Sequence, residues 1–126
     1  LTAWDSYAGE KWHPKIIIGK NCCIGEFFHI TACNSIEIGD NLLTGRHVYI
    51  SDNDHGKTDI SQLNIHPVKR PLYSKGTVKI GNNVFIAPGA FVNFDVPDNS
   101  IVIGNPGKII PRDESPTAKY IVYPVR

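Results

Sequence analysis

Apolar residues recur every six positions along much of this chain. Ile18, Ile24 and Ile30 open the series. Ile38, Thr44 and Ile50 continue it, and Ile80, Ile86 and Val92 resume it after a long interruption. Two positions before each member stands another small or apolar residue, among them Ile16, Cys22, Ile36, Leu42, Val84 and Ala90. Spacing by two puts side chains on one face of an extended strand. Gly, Asn and Asp interrupt every such segment, and the β-branched content disfavours helix. Short strands at a fixed step, each followed by a turn, predict a solenoid whose stacked coils share one aliphatic column. Asn21, Asn41 and either Asn82 or Asn83 stand at the corners, because Asn tolerates turn and left-handed backbone. Two extra residues separate Ile30 from Ile38, so Ile24 pairs in register with Thr44, His29 with Tyr49 and Phe27 with His47.

The series breaks from residue 51 to 79. That stretch holds Asp52, Asp54, His55, His66 and Arg70-Pro71-Leu72-Tyr73, and it is read as a loop leaving the solenoid on one face. Residues 1–15, with Trp4, Tyr7, Trp12 and His13, read as an irregular loop or an incoming edge. His13 before Pro14 is more readily a packed loop residue than a ligand contact. The expected organisation is one domain over 1–111 with loop 51–79 inserted, then a polar tail, 112–126, with a short strand at Tyr120–Tyr123.

Composition narrows the function. The chain has 126 residues with 41% hydrophobic and 20% charged content, which is ordinary globular material. Lys+Arg 13 against Asp+Glu 12 gives +1, so nothing in the charge argues for nucleic acid or an anionic membrane as partner. No apolar run reaches the ~20 residues of a membrane span. The three cysteines, Cys22, Cys23 and Cys33, are odd in number and two are adjacent. They make a poor disulfide framework and fit a reducing, cytoplasmic compartment. Cys22 falls on an inward position, whereas Cys23 and Cys33 read as exposed. No Cys-x-x-Cys pair occurs, and the offset register keeps His29 and His47 from stacking, so no metal is expected.

The steps Ile18-Gly19-Lys20-Asn21, Ile38-Gly39-Asp40-Asn41 and Ile80-Gly81-Asn82-Asn83 resemble the hexapeptide repeats of left-handed parallel β-helix acyltransferases. The likeness covers residues 16–111 and is nearest to the sugar and polysaccharide O-acetyltransferases. It implies triangular coils of three hexapeptides, acetyl-CoA as acyl donor, a sugar or glycan acceptor, and a homotrimer with active sites between subunits. It also implies a general base at His55, seventeen residues after Ile38. A thioester is already activated, so one base near neutral pKa suffices and no protein nucleophile is needed. Taken alone, a histidine in a polar loop is more often merely solvated. Asp52, Asp54 and Tyr73 are candidates for orienting the imidazole or the acceptor, with loop acids or Asx turns as the plainer role of the two aspartates. Gly104, Asn105, Pro106 and Lys108 match the closing signature, which lies beside coenzyme A in the family.

The chain departs from that family in three places. Phe94 stands where a basic residue often precedes the step Asp95-Val96-Pro97, and Phe85 where Trp is frequent. Ile86 runs directly through Val92 to the exit, so about one coil fewer is expected and the solenoid has about three. These departures favour a rival reading, a weakened β-helix acting as a binding or assembly module. A third reading, a zinc hydratase of the γ carbonic anhydrase type, would need ligands converging across subunits.

Overall fold

The structure is a computed structural model that describes residues 1–112, so the expected strand at Tyr120–Tyr123 lies outside the described residues. The strands are β1 (Thr2–Ala3), β2 (Ser6–Tyr7), β3 (Glu10–Lys11), β4 (Lys15–Ile18), β5 (His29–Ala32), β6 (Ser35–Ile38), β7 (Leu43–Thr44) and β8 (Tyr49–Ser51). After the interruption come β9 (Val78–Ile80), β10 (Phe85–Ile86), β11 (Phe91–Val92), β12 (Ser100–Ile103) and β13 (Lys108–Pro111). Two short 3₁₀ turns, Ile60–Gln62 and Pro67–Lys69, are the only helical elements among the described residues.

The strands stack in parallel on three faces. One face is β4-β6-β9, a second runs β7-β10-β12, and the third is β1-β5-β8-β11. Isolated bridges at Cys23–Leu43 and Ile80–Val96 extend the first two faces by one rung each. This is the expected all-β solenoid of about three coils, in keeping with the left-handed β-helix that hexapeptide repeats build. The sequence register holds, with His29 opposite Tyr49 and the Phe27 ring stacked on His47 at 4.8 Å.

The column of inward residues is dry. Ile30, Ile36, Leu42, Val48, Ile50, Val84, Ile86 and Val92 are fully buried, each contributing roughly 1.5–3 kcal/mol by leaving water. Ile18 and Ile24, read as inward, are instead 40% and 42% exposed. They lie in the first coil, and among the described residues no strand stacks beneath them. Cys22 packs against the core as expected. Cys33, expected at the surface, is buried, because the widened corner that carries it folds beneath Asp52.

Polar columns fasten one corner. Asn21, Asn41, Asn83 and Asn99 all take left-handed backbone, with φ from 56° to 62°. Asn41 Nδ2 donates to Asn83 Oδ1, and Asn83 Nδ2 to Asn99 Oδ1. One residue earlier, the backbone N–H of Lys20, Asp40 and Asn82 donates to the side-chain oxygen of Asp40, Asn82 and Asp98 respectively. Asn83 is thus the left-handed corner residue and Asn82 the acceptor beside it. Gly39 sits so close to Gly81 and Asn82 of the next coil that a Cβ there would overlap them.

Another corner absorbs the variation in length. Between the third face and the first, the inward series steps eight residues from Ile30 to Ile38, thirty from Ile50 to Ile80, and four from Val92 to Val96. The other corners keep the six-residue step. The long excursion, a two-residue expansion and a two-residue contraction therefore fall on one edge of the prism. The final coil is shorter than its predecessors: Phe85 pairs with Ile101, sixteen residues on.

Candidate functional site

That variable edge builds the site. The excursion leaves β8 at Ser51 and is pinched at its base, where Asp54 and Tyr73 exchange backbone hydrogen bonds of 2.8 Å in both directions. A cleft of about 360 Å³ opens between this base and the contracted corner of the last coil. Asp52, Asp54, Tyr73 and Lys75 line one side, and Asn93, Phe94 and Asp95 the other. Asp52, Asp54 and Tyr73, the candidates for holding an acceptor, are thus brought together in one cleft.

Their states differ. Asp52 is buried, and its two oxygens accept from the backbone N–H of Cys33 and Asn34 at 2.8 Å each. It braces the widened corner of the coil below, and Asn53 Nδ2 adds a third bond at 2.9 Å. Asp54 is exposed, which leaves its carboxylate free for a hydroxyl. The Lys57 ammonium lies 5.6 Å from the Tyr73 ring centroid, a cation–π distance.

His55 does not line this cleft. Its exposed imidazole faces the opening hairpin instead, with ring centroids 5.0 Å from Tyr7 and 6.3 Å from Trp4, both edge to face. Neither Asp52 nor Asp54 is hydrogen-bonded to it among the described residues. His13 and His66 are exposed elsewhere on the surface.

A smaller cavity of about 220 Å³ lies nearby and brings Asn105 to Tyr49, Asn53, Asp54 and Phe91. Asn105 is the residue of the closing signature that lines this cavity. Gly104 to Gly107 form the turn joining β12 to antiparallel β13, and the exposed Lys108 opens β13 opposite Ile103. Phe94, in place of a basic residue, packs against the core and abuts Gly107.

Tyr49 is a site residue that the sequence reading did not single out. It stacks on His29 at 4.7 Å and tilts against Phe91 at 5.3 Å, forming an aromatic column along the outside of the third face. Burial pushes its phenol above the usual range, and the Asp54 charge adds to the shift. The signal was present in the register, which paired His29 with Tyr49. Trp4 and Tyr7 were legible only as aromatics in an opening loop. No group of three or more metal-ligating side chains converges among the described residues.

No protein-family model matches the chain. It is 29% identical over 117 residues to WbbJ of Escherichia coli K12, described as a lipopolysaccharide biosynthesis O-acetyl transferase; the match covers 75% of this chain and 59% of WbbJ. It is 27% identical over 106 residues to a serine acetyltransferase of Bacillus pumilus, covering 82% of this chain and 49% of that protein. Among solved structures, the polySia-specific acetyltransferase NeuO aligns with 29% identity and a TM-score of 0.46 over 85% of this chain and 54% of NeuO. The chain thus spans about half the length of the relatives it matches.

Proposed function

We propose, for a chain that is related to the hexapeptide-repeat acetyltransferases, that it transfers an acetyl group from acetyl-CoA to a hydroxyl of a sugar or polysaccharide, with His55 as general base. The observation that carries this reading is the position of His55. It follows the Ile-Gly-Asp-Asn step by seventeen residues and sits where the excursion leaves the solenoid, beside the Asp54–Tyr73 pinch.

The chemistry asks little of the protein. The imidazole accepts the proton of the acceptor hydroxyl as that oxygen attacks the thioester carbonyl carbon. The tetrahedral intermediate collapses to the acetyl ester and coenzyme A thiolate. The imidazolium then returns its proton to the thiolate, so no net charge accumulates. Asp54, with a free carboxylate, and Tyr73 suit hydroxyl recognition at the cleft. Asn105 suits the donor side, as the residue of the closing turn that lines the smaller cavity. The functional unit in this reading is a homotrimer, in which a neighbour closes the open side of the site.

His55→Ala is expected to abolish transfer while leaving acetyl-CoA affinity within about tenfold, since a base acts mainly in the transition state. Wild-type activity in this variant would remove His55 from the mechanism. The competing reading, a binding or assembly module, draws on the short solenoid of about three coils, which leaves less wall for a donor, and on Phe94, which replaces a basic contact.

A further inference from the structure

We infer that Trp4 and Tyr7 are positioning residues for His55: the opening hairpin holds the imidazole in its working orientation. This rests on the reading of His55 as the base.

The hairpin is anchored to the solenoid. β1 extends the third face, with Thr2 and Ala3 paired to Thr31 and Ala32, and the Trp4 N–H donates to Ala32 at 2.7 Å. The chain then turns outward into β2, reverses at Ala8 and Gly9, and returns in β3. Both turn residues have positive φ, 50° and 80°, the geometry of a two-residue turn that suits strand twist. The Trp12 N–H closes the base of the hairpin on Asp5 at 2.7 Å. Trp4 and Tyr7 are thereby set edge to face, 5.5 Å apart, and each meets His55 the same way.

Three rings, mutually tilted by 64° to 81°, form a closed aromatic cluster. Such edge-to-face pairs are favourable beyond the area they bury, and two of them together select one rotamer of an exposed side chain. His55 needs this help. In many enzymes a carboxylate orients the catalytic imidazole, yet here Asp52 is committed to Cys33 and Asn34 and Asp54 makes no bond to the ring. Edge-to-face contacts with Trp4 and Tyr7 orient the ring without a hydrogen bond to either of its nitrogens among the described residues.

Two measurements on the full chain test this. Proton NMR reads the imidazole C–H signals of His55, identified by their loss in His55→Ala. In the wild type they are expected to be displaced from the positions of a solvated histidine through the Trp4 and Tyr7 ring currents, and Tyr7→Leu or Trp4→Leu is expected to move them toward those positions. Unshifted signals in the wild type would overturn the proposal. Thiol release from acetyl-CoA, with methyl α-glucoside as acceptor, is then followed kinetically. Tyr7→Leu and Trp4→Leu are expected to lower kcat about tenfold with KM for acetyl-CoA unchanged, equivalent to about 1.4 kcal/mol. Tyr7→Phe and Trp4→Phe, which keep a ring, should restore most of the rate. Full kcat in the leucine variants beside an inactive His55→Ala would sink the positioning role alone. Full activity in His55→Ala would sink the base assignment as well. Tyr7→Phe as impaired as Tyr7→Leu would overturn the ring argument and point to the hydroxyl.

Discussion

Cys33 illustrates how one side chain is remade by its neighbours. It sits in the two-residue expansion between Ile30 and Ile38, beneath a buried carboxylate. Burial, reinforced by the Asp52 charge, raises its thiol from 9.0 to about 11. A thiol whose folded pKa exceeds its unfolded one stabilises the fold below the unfolded value and loses that contribution as pH rises through the folded value. The stability advantage of the wild type over Cys33→Ala should therefore shrink between about pH 9 and about pH 11, as denaturant midpoints across that range would reveal. A constant difference would mean that Asp52 and burial do not act on this thiol. The same site separates Asp52 from Asp54. Both were legible as loop acids near His55; Asp52 is instead a buried brace, its carboxylate occupied by two backbone amides of the coil below.

Each corner is an element whose side chains work along the solenoid rather than within one turn. Asn83 has left-handed backbone and bonds to Asn41 on one side and Asn99 on the other. Asn83→Ala should cost about 1–3 kcal/mol, by combining left-handed strain with loss of the ladder. Asn83→Gly, which relieves the backbone term, should cost less. Urea denaturation of the two variants gives the comparison, and equal losses would place the whole effect in the ladder. Asn21, Asn41 and one of Asn82 and Asn83 were readable as corner formers from spacing alone, whereas Asn99 was not. That Asn82 and Asn83 divide the work, one accepting from Asp40 and one turning the corner, needed the stacked coils.

The molecule as a whole is a short prism with one variable edge. Its solenoid ends in a contracted coil closed by the β12–β13 hairpin. Calorimetric titration with acetyl-CoA should show saturable binding at one site per chain. Absence of heat at millimolar donor would favour the assembly reading. No helix among the described residues is long and apolar enough to cross a bilayer.

The six-residue apolar step, the Asn corners and the offset register were all readable from the sequence, and with them the solenoid and the His29–Tyr49 pairing; its three faces were implied by the resemblance to hexapeptide repeats. They are local or nearest-coil properties, imposed by strand alternation and by stacking at a fixed step, so a linear pattern carries them. Tertiary structure alone decided what met at the variable edge. Expansions and contractions there bring residues 51–54, 73–75 and 93–95 to one cleft, although they are far apart in sequence and share no period. It also turned His55 toward Trp4 and Tyr7, about fifty residues earlier in the chain. It left Ile18 and Ile24 half open because a first coil has no described neighbour below. Periodicity can say which side chains point inward, but only the stacked coils say which outward ones become neighbours.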